Sequence, residues 1–238
     1  MTDQKLKIGI LETGRLPEEM TLIHGDYPQM MTDWLAPFDA SFKTYPVLDG
    51  VLPDSPDECD LWVITGSRSG AYEGHDWIRQ LEEFIRTCHD ASCKMIGICF
   101  GHQVVAQALG GIVEKSDKGW GLGVHEYSVA NWPEELGPEP DNLRLQAIHQ
   151  DQVIQAPPEA SRIASSDFCE NAALWYPGFA LTVQGHPEFS HGFVLALLED
   201  RRGTVFPTQD VDEAVKTVGA STTREALARY IRDNLASI

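Results

Sequence analysis

Lys94-Met95-Ile96-Gly97-Ile98-Cys99-Phe100-Gly101-His102-Gln103 is the stretch from which the fold is read. Residues 94–98 (KMIGI) form a short apolar run of the kind buried on both faces of a parallel sheet. The run passes without a loop into a helical pattern over residues 100–109, which Gly110-Gly111 stops. A strand that turns this abruptly into a helix holds the residue at the bend, Cys99, in a strained backbone conformation at the C-terminal edge of the sheet. Gly97 and Gly101 leave room for neighbouring strands and the helix to approach. Cys99 thus occupies the nucleophile position of a Gly-x-nucleophile-x-Gly elbow. The N–H of Phe100 points out of the helix start and can stabilise an oxyanion, and the same terminus favours thiolate over thiol. The plainer reading of such a cysteine is a small buried hydrophobe.

The same rhythm repeats on the N-terminal side. Residues 6–11 (LKIGIL), 41–47 and 61–64 (LWVI) read as strands. Gly25-Asp26-Tyr27-Pro28 reads as a helix entry, with Met30, Met31, Trp34 and Leu35 at helical spacing. From Asp76, the residues Trp77, Ile78, Leu81, Phe84, Ile85 and Cys88 make the stripe of an amphipathic helix of about three turns. Strand and helix in alternation call for a parallel sheet covered on both faces. On the C-terminal side, residues 123–130, 143–148, 162–165, 172–176 and 181–184 are short and β-like; some are expected antiparallel, one rejoining the main sheet. A helix follows at about 192–201. A capping box of Thr222 with Glu225 opens a last one, with Leu227, Tyr230, Ile231 and Leu235 on its stripe. Residues 48–57 and 132–142 read as exposed loops. The expected architecture is an α/β three-layer sandwich, a mostly parallel central sheet with helices on both faces plus a small antiparallel β region, as a single domain over 1–238.

Composition agrees with a globular chain. The 238 residues are 42% hydrophobic and 23% charged, and a fold of this size can bury about 70% of its extended surface without staples. The net charge of −18 repels phosphate backbones and anionic headgroups, which argues against nucleic-acid and membrane partners. No apolar run approaches the ~18 residues of a membrane span, and Met1-Thr2-Asp3-Gln4-Lys5 lacks a signal-peptide layout. Five cysteines, an odd number, suit free thiols in a reducing compartment, so a cytoplasmic location is expected. Cys88, His89 and Cys93 lie close together but lack the ligand count and spacing of a zinc site; Cys88 belongs to the apolar stripe.

A cysteine nucleophile needs a base, and the base an orienter. Gly185-His186-Pro187-Glu188 supplies both. Proline keeps His186 extended, and in extended backbone residues i and i+2 share a side, so Glu188 can approach the imidazole. Together, Gly97-Ile98-Cys99-Phe100-Gly101-His102-Gln103 and His186-Pro187-Glu188 resemble the class I glutamine amidotransferases over about residues 6–200. The spacing of Cys99 and His186 also suits that family.

The resemblance implies roles residue by residue. Cys99 is the nucleophile, His186 the base and Glu188 the orienter. Gln103 lies beside the bound glutamine. The family's glycine-rich oxyanion segment corresponds to Thr65-Gly66-Ser67-Arg68-Ser69, which lacks the usual proline and has serine where glycine is usual; a backbone N–H of Gly66 or Ser67 completes the oxyanion hole with that of Phe100. Ile148-His149-Gln150-Asp151 resembles the segment that holds the substrate's amino-acid end. The implied reaction is hydrolysis of the glutamine side-chain amide through a γ-glutamyl thioester, releasing ammonia and glutamate, with no metal or organic cofactor. The substrate is a small molecule, glutamine or a γ-glutamyl compound. Two further readings stand beside a glutaminase that feeds a separate ammonia-accepting synthetase: a stand-alone γ-glutamyl peptidase or hydrolase, and a non-catalytic module retaining the fold. Arg68 is either a solvated loop residue or a ligand for a substrate carboxylate. His102 is expected to be structural, and Trp120 to line a pocket rim.

Overall fold

The computed structural model describes residues 5–235. Met1–Gln4 and the side chain of Leu235 lie outside the described residues, so the readings placed on them are not addressed. Eleven strands occur among these residues: β1 (Lys7–Leu11), β2 (Ser41–Tyr45), β3 (Leu61–Ile64), β4 (Lys94–Ile98), β5 (Ile112–Lys115), β6 (Gly121–Val129), β7 (Asn142–His149), β8 (Asp151–Gln155), β9 (Ser161–Ser165), β10 (Ala173–Tyr176) and β11 (Ala180–Val183). The helices are α1 (Glu18–His24), α2 (Tyr27–Trp34), α3 (Asp76–Asp90), α4 (Phe100–Ala108), α5 (His191–Asp200), α6 (Thr208–Thr217) and α7 (Arg224–Tyr230).

Nine strands form one sheet in the order β2-β1-β3-β4-β11-β10-β9-β6-β7. From β2 to β11 all pairings are parallel; from β11 to β7 all are antiparallel. The sandwich expected from the sequence is present. Its antiparallel region continues the main sheet, and β5 and β8 make a separate antiparallel pair. The central strands β3, β4 and β11 are almost wholly buried, and their alternation feeds two cores. Leu61 and Val63 enter one, under α2 and α7; Trp62 and Ile64 enter the other, under α3 and α4. A third cluster joins α5 and α6 to Met20, Tyr27 and Leu122. No helix among the described residues is long and apolar enough to cross a membrane.

Local chemistry explains the helix ends. The Asp26 side chain caps α2, accepting from Gln29 N at 2.7 Å, with Pro28 in the first turn. The α3 stripe buries Ile78, Leu81, Phe84, Ile85 and Cys88, and this helix runs 15 residues, one turn longer than expected. Three readings are corrected. The cap of α7 is Thr223, not Thr222, and no capping box forms. The Thr223 hydroxyl instead accepts from Arg144 N at 2.9 Å, tying α7 to β7. Residues 132–142 are not wholly exposed: Trp132 and Leu136 are buried, Trp132 edge-on to Tyr230. Four elements, α1, α6, β5 and β8, come in addition to those read from the sequence.

Candidate active site

Cys99 stands at φ 53, ψ −100, between β4 and α4. A side chain pays for this left-handed conformation with backbone strain of roughly 1–3 kcal/mol. Packing fixes the bend. A Cβ on Gly101 would lie 2.6 Å from the carbonyl oxygen of Ile64, and one on Gly97 2.6 Å from that of Gly101. The bend therefore aims Cys99 over the C-terminal ends of the parallel strands, while the Phe100 side chain is buried against Trp77. As the first residue of α4, Phe100 has a backbone N–H with no intrahelical acceptor.

His186 arrives from the end of β11. Its backbone N–H donates to Gln146 O at 2.7 Å, and its Nδ1 is 2.7 Å from Glu188 Oε1. His186 and Glu188 are both buried. Phe189 stacks on the imidazole, 3.9 Å between centroids and 6° from parallel. Arg224 on α7 donates to the carbonyls of Pro187 at 2.6 Å and Glu188 at 3.3 Å, clamping the turn. Burial opposes charge on His186, yet the negative charges of Glu188 and Cys99 and its hydrogen bonds to them raise its pKa. The imidazolium is thereby favoured.

Between these groups runs the loop after β3. A Cβ on Gly66 would sit 3.0 Å from His186 Cε1 and 3.9 Å from Cys99 Cβ, so glycine is what allows the three to converge. The Gly66 carbonyl accepts from Thr13 Oγ1 at 3.2 Å. In a planar trans peptide the following N–H points the opposite way, so the Ser67 N–H faces away from Thr13, and it has no acceptor among the described residues. Ser67 Oγ accepts from Ser69 N at 3.2 Å, a local turn that keeps the loop ordered without the family's proline.

A cavity of about 360 Å³ opens over this edge, lined by Gly66, Ser67, Cys99, Gln103, His149, Gln150, Asp151 and His186. These are the residues singled out in the sequence, apart from Glu188, behind His186, and Phe100, whose backbone is the relevant part. Gln103 donates to Asp151 O at 2.9 Å and to Gln184 Oε1 at 3.2 Å. Gln184, missed in the sequence, in turn donates to Cys99 Sγ at 3.6 Å. Its signal was faint: a glutamine ending a buried strand, two residues before His186. Tyr27, Phe189 and Arg201 also line the cavity without a motif to announce them. Trp120 lies on its wall. His102 is elsewhere: fully buried, its Nδ1 2.8 Å from Thr182 Oγ1, with burial pushing it down to about 3. Burial, with His125 nearby, likewise pushes His149 down to about 3. Among the described residues no cluster of three His, Cys, Asp or Glu is arranged to hold a metal ion.

This arrangement can activate a thiol, hold an oxyanion and move a proton. Residues 56–199 match the family model described as glutamine amidotransferase class-I. The chain is 32% identical over 183 residues to gamma-glutamyl peptidase 4 of Arabidopsis thaliana, covering 74% of this chain and 73% of that protein. It is 31% identical over 225 residues to a glutamine amidotransferase-like protein of Schizosaccharomyces pombe, covering 88% and 90%. Among solved structures, a glutamine amidotransferase from Methylobacillus flagellatus superposes with a TM-score of 0.78 at 22% identity, covering 98% of this chain and 94% of that one, a likeness of fold.

Proposed function

The chain belongs to the class-I glutamine amidotransferase family, and on that premise we propose that it hydrolyses γ-glutamyl amides through a Cys99 thioester, with His186 as base and Glu188 as its orienter. The observation that carries this reading is the convergence of Gly66, Cys99 and His186 at the sheet edge, with Glu188 2.7 Å behind the imidazole.

The steps follow from the geometry. The Cys99 thiolate attacks the side-chain carbonyl carbon of the γ-glutamyl group. The N–H groups of Phe100 and Ser67 hold the oxyanion. The C–N bond breaks as the His186 imidazolium gives its proton to the departing nitrogen. Water then adds to the thioester carbon and yields a proton to His186. The C–S bond breaks, which returns thiolate and imidazolium. Glu188 fixes the ring tautomer throughout. Gln103 holds the Asp151 carbonyl and Gln184 in place beside the substrate, and the segment His149–Asp151 receives the amino-acid end. None of these steps draws on a metal or organic cofactor.

Two substrates suit this chemistry. With glutamine the product is ammonia, which a separate synthetase chain would consume. With a γ-glutamyl peptide the product is an amine, and the likeness to gamma-glutamyl peptidase 4 favours this second reading. A non-catalytic module has no use for a strained cysteine facing a buried imidazole–carboxylate pair. The test is to incubate purified protein with glutamine and with γ-glutamyl dipeptides, following glutamate release and the mass of the Cys99 peptide after acid quench. A γ-glutamyl adduct on Cys99 with glutamate release is expected. No adduct and no glutamate from any of these substrates would overturn the proposal.

A further inference from the structure

Three cations line the cavity, Arg68, Lys115 and Arg201. Lys115 acts on the Asp151 carboxylate, whereas Arg201, over the Phe206 ring at 5.8 Å, and Arg68 lack the carboxylate partners that this acidic chain gives Arg202. Arg202 is ion-paired with Glu199 at 2.7 Å and Asp212 at 2.5 Å. Its neighbour Arg201, half-buried at the end of α5, lines the cavity and has no carboxylate within 4 Å among the described residues. Arg68, on the loop after β3, lines the same cavity and has none either. Burial lowers the pKa of Arg201, and Arg68 is near enough to lower it further. Two guanidiniums turned toward one space in a chain of net charge −18 call for an anion from outside.

The wall they occupy says which part of a substrate they meet. Phe189 stacks on His186 on one side and on Tyr27 on the other, 5.9 Å between centroids and 28° from parallel. Tyr27 in turn lies close enough to Arg201, Cys99 and Arg68 for their charges to act on its phenol. This ring ladder runs from His186, where the leaving nitrogen takes its proton, to the two arginines. A leaving group of extended residues, at roughly 3.3 Å each, would run along this wall. Ammonia departing from glutamine reaches none of it.

We propose that Arg201, assisted by Arg68, binds a carboxylate carried by the leaving group, so that the preferred substrates are γ-glutamyl peptides with a free C-terminus rather than glutamine. The inference rests on the γ-glutamyl hydrolysis proposed above. Arg201 is then a specificity determinant for the amine half of the substrate and takes no part in proton transfer. The bonds made and broken stay those already given, with the amino acid or peptide leaving in place of ammonia.

The test compares γ-glutamyl-alanine, its C-terminal amide and glutamine as substrates of the full chain. The expected kcat/KM for the acid exceeds that for the amide by about 10–100-fold, the range of a hydrogen-bonded charge pair. Arg201→Gln brings the acid-to-amide ratio toward one, chiefly by raising KM for the acid, and Arg201→Lys restores part of it. Arg68→Gln, on an exposed loop, lowers the same ratio several-fold. Equal use of acid and amide by the unaltered protein overturns the inference and leaves γ-glutamyl hydrolysis standing. So does a loss in Arg201→Gln that falls equally on all three substrates. No turnover of any of them, with no adduct on Cys99, overturns both.

Discussion

The two halves of the nine-stranded sheet are built from similar residues and do different work. In the parallel half, every strand ends at the same edge. The segments after β1 (Thr13), β3 (Gly66, Ser67), β4 (Cys99) and β11 (Gln184, His186, Glu188) therefore meet there without any long excursion of the chain. In the antiparallel half, strand ends alternate, and the cavity is reached by the end of β7, at His149 and Gln150, and by Trp120 at the entry to β6. Direction of pairing, more than sequence proximity, gathers the chemistry.

Several substitutions and one change of pH bear on that contrast. Cys99→Ala should lower turnover by at least about 10⁴-fold, with at most a small loss of thermal stability, because the backbone strain is retained and only the buried sulfur's contacts are lost; surviving activity would move the nucleophile elsewhere. Glu188→Gln should lower kcat by about 10³-fold with little change in KM, since it disturbs the base and not binding. A KM effect alone would detach Glu188 from His186. Gly66→Ala should cost on the order of 10² in kcat, through the methyl pressed against His186 and the displaced Ser67 N–H. Full activity there would show that the loop is not part of the reacting centre.

The next effect is shared between the halves. His102, packed against β11, and His149, on β7, are held neutral by burial, each pushed down to about 3. Unfolded, they titrate near 6.5, so below that pH the unfolded chain binds more protons. Their contribution to stability is full above pH 6.5 and falls as the pH drops toward 3, while that of His186, whose pKa is raised, has the opposite sign. At pH 5.5 each histidine accounts for about 1.4 kcal/mol of the loss. Denaturant unfolding of the unaltered chain and of His102→Gln at pH 7.5 and 5.5 isolates it: between the two pH values the variant should lose about 1.4 kcal/mol less. The smallest effect belongs to the antiparallel half alone. Ile163→Val, in the core on β9, should cost about 1 kcal/mol of stability with unchanged kcat. A kinetic defect there would mean that the two halves are not functionally separate.

The sequence announced what is local. The elbow around Cys99 and the His186-Pro187-Glu188 turn each carry their geometry in a few adjacent residues, and both were legible. So were the strands with continuous apolar runs. Gln184, Tyr27, Phe189 and Arg201 carry no such signature, because each matters only through what a distant segment brings to it. Arg201 and Arg202 are adjacent in the chain, and nothing before folding says that one will be ion-paired and the other set over the Phe206 ring without a carboxylate. The elements that escaped were weakly patterned. α6 offers Val211, Ala214 and the following Val218 as its buried apolar residues, with Val215 exposed, and β5 and β8 pair across about forty residues outside the main sheet. The Thr222–Glu225 pattern failed because β7 competes for the neighbouring threonine hydroxyl.

The positive φ of Cys99 has an evolutionary corollary. Glycine would rest comfortably in that backbone conformation, so a change to glycine, which on the proposed mechanism ends the chemistry, also relaxes the backbone by about 1 kcal/mol or more. That relief offsets part of what is lost with the buried sulfur's packing, so the fold itself does little to hold a thiol at this bend.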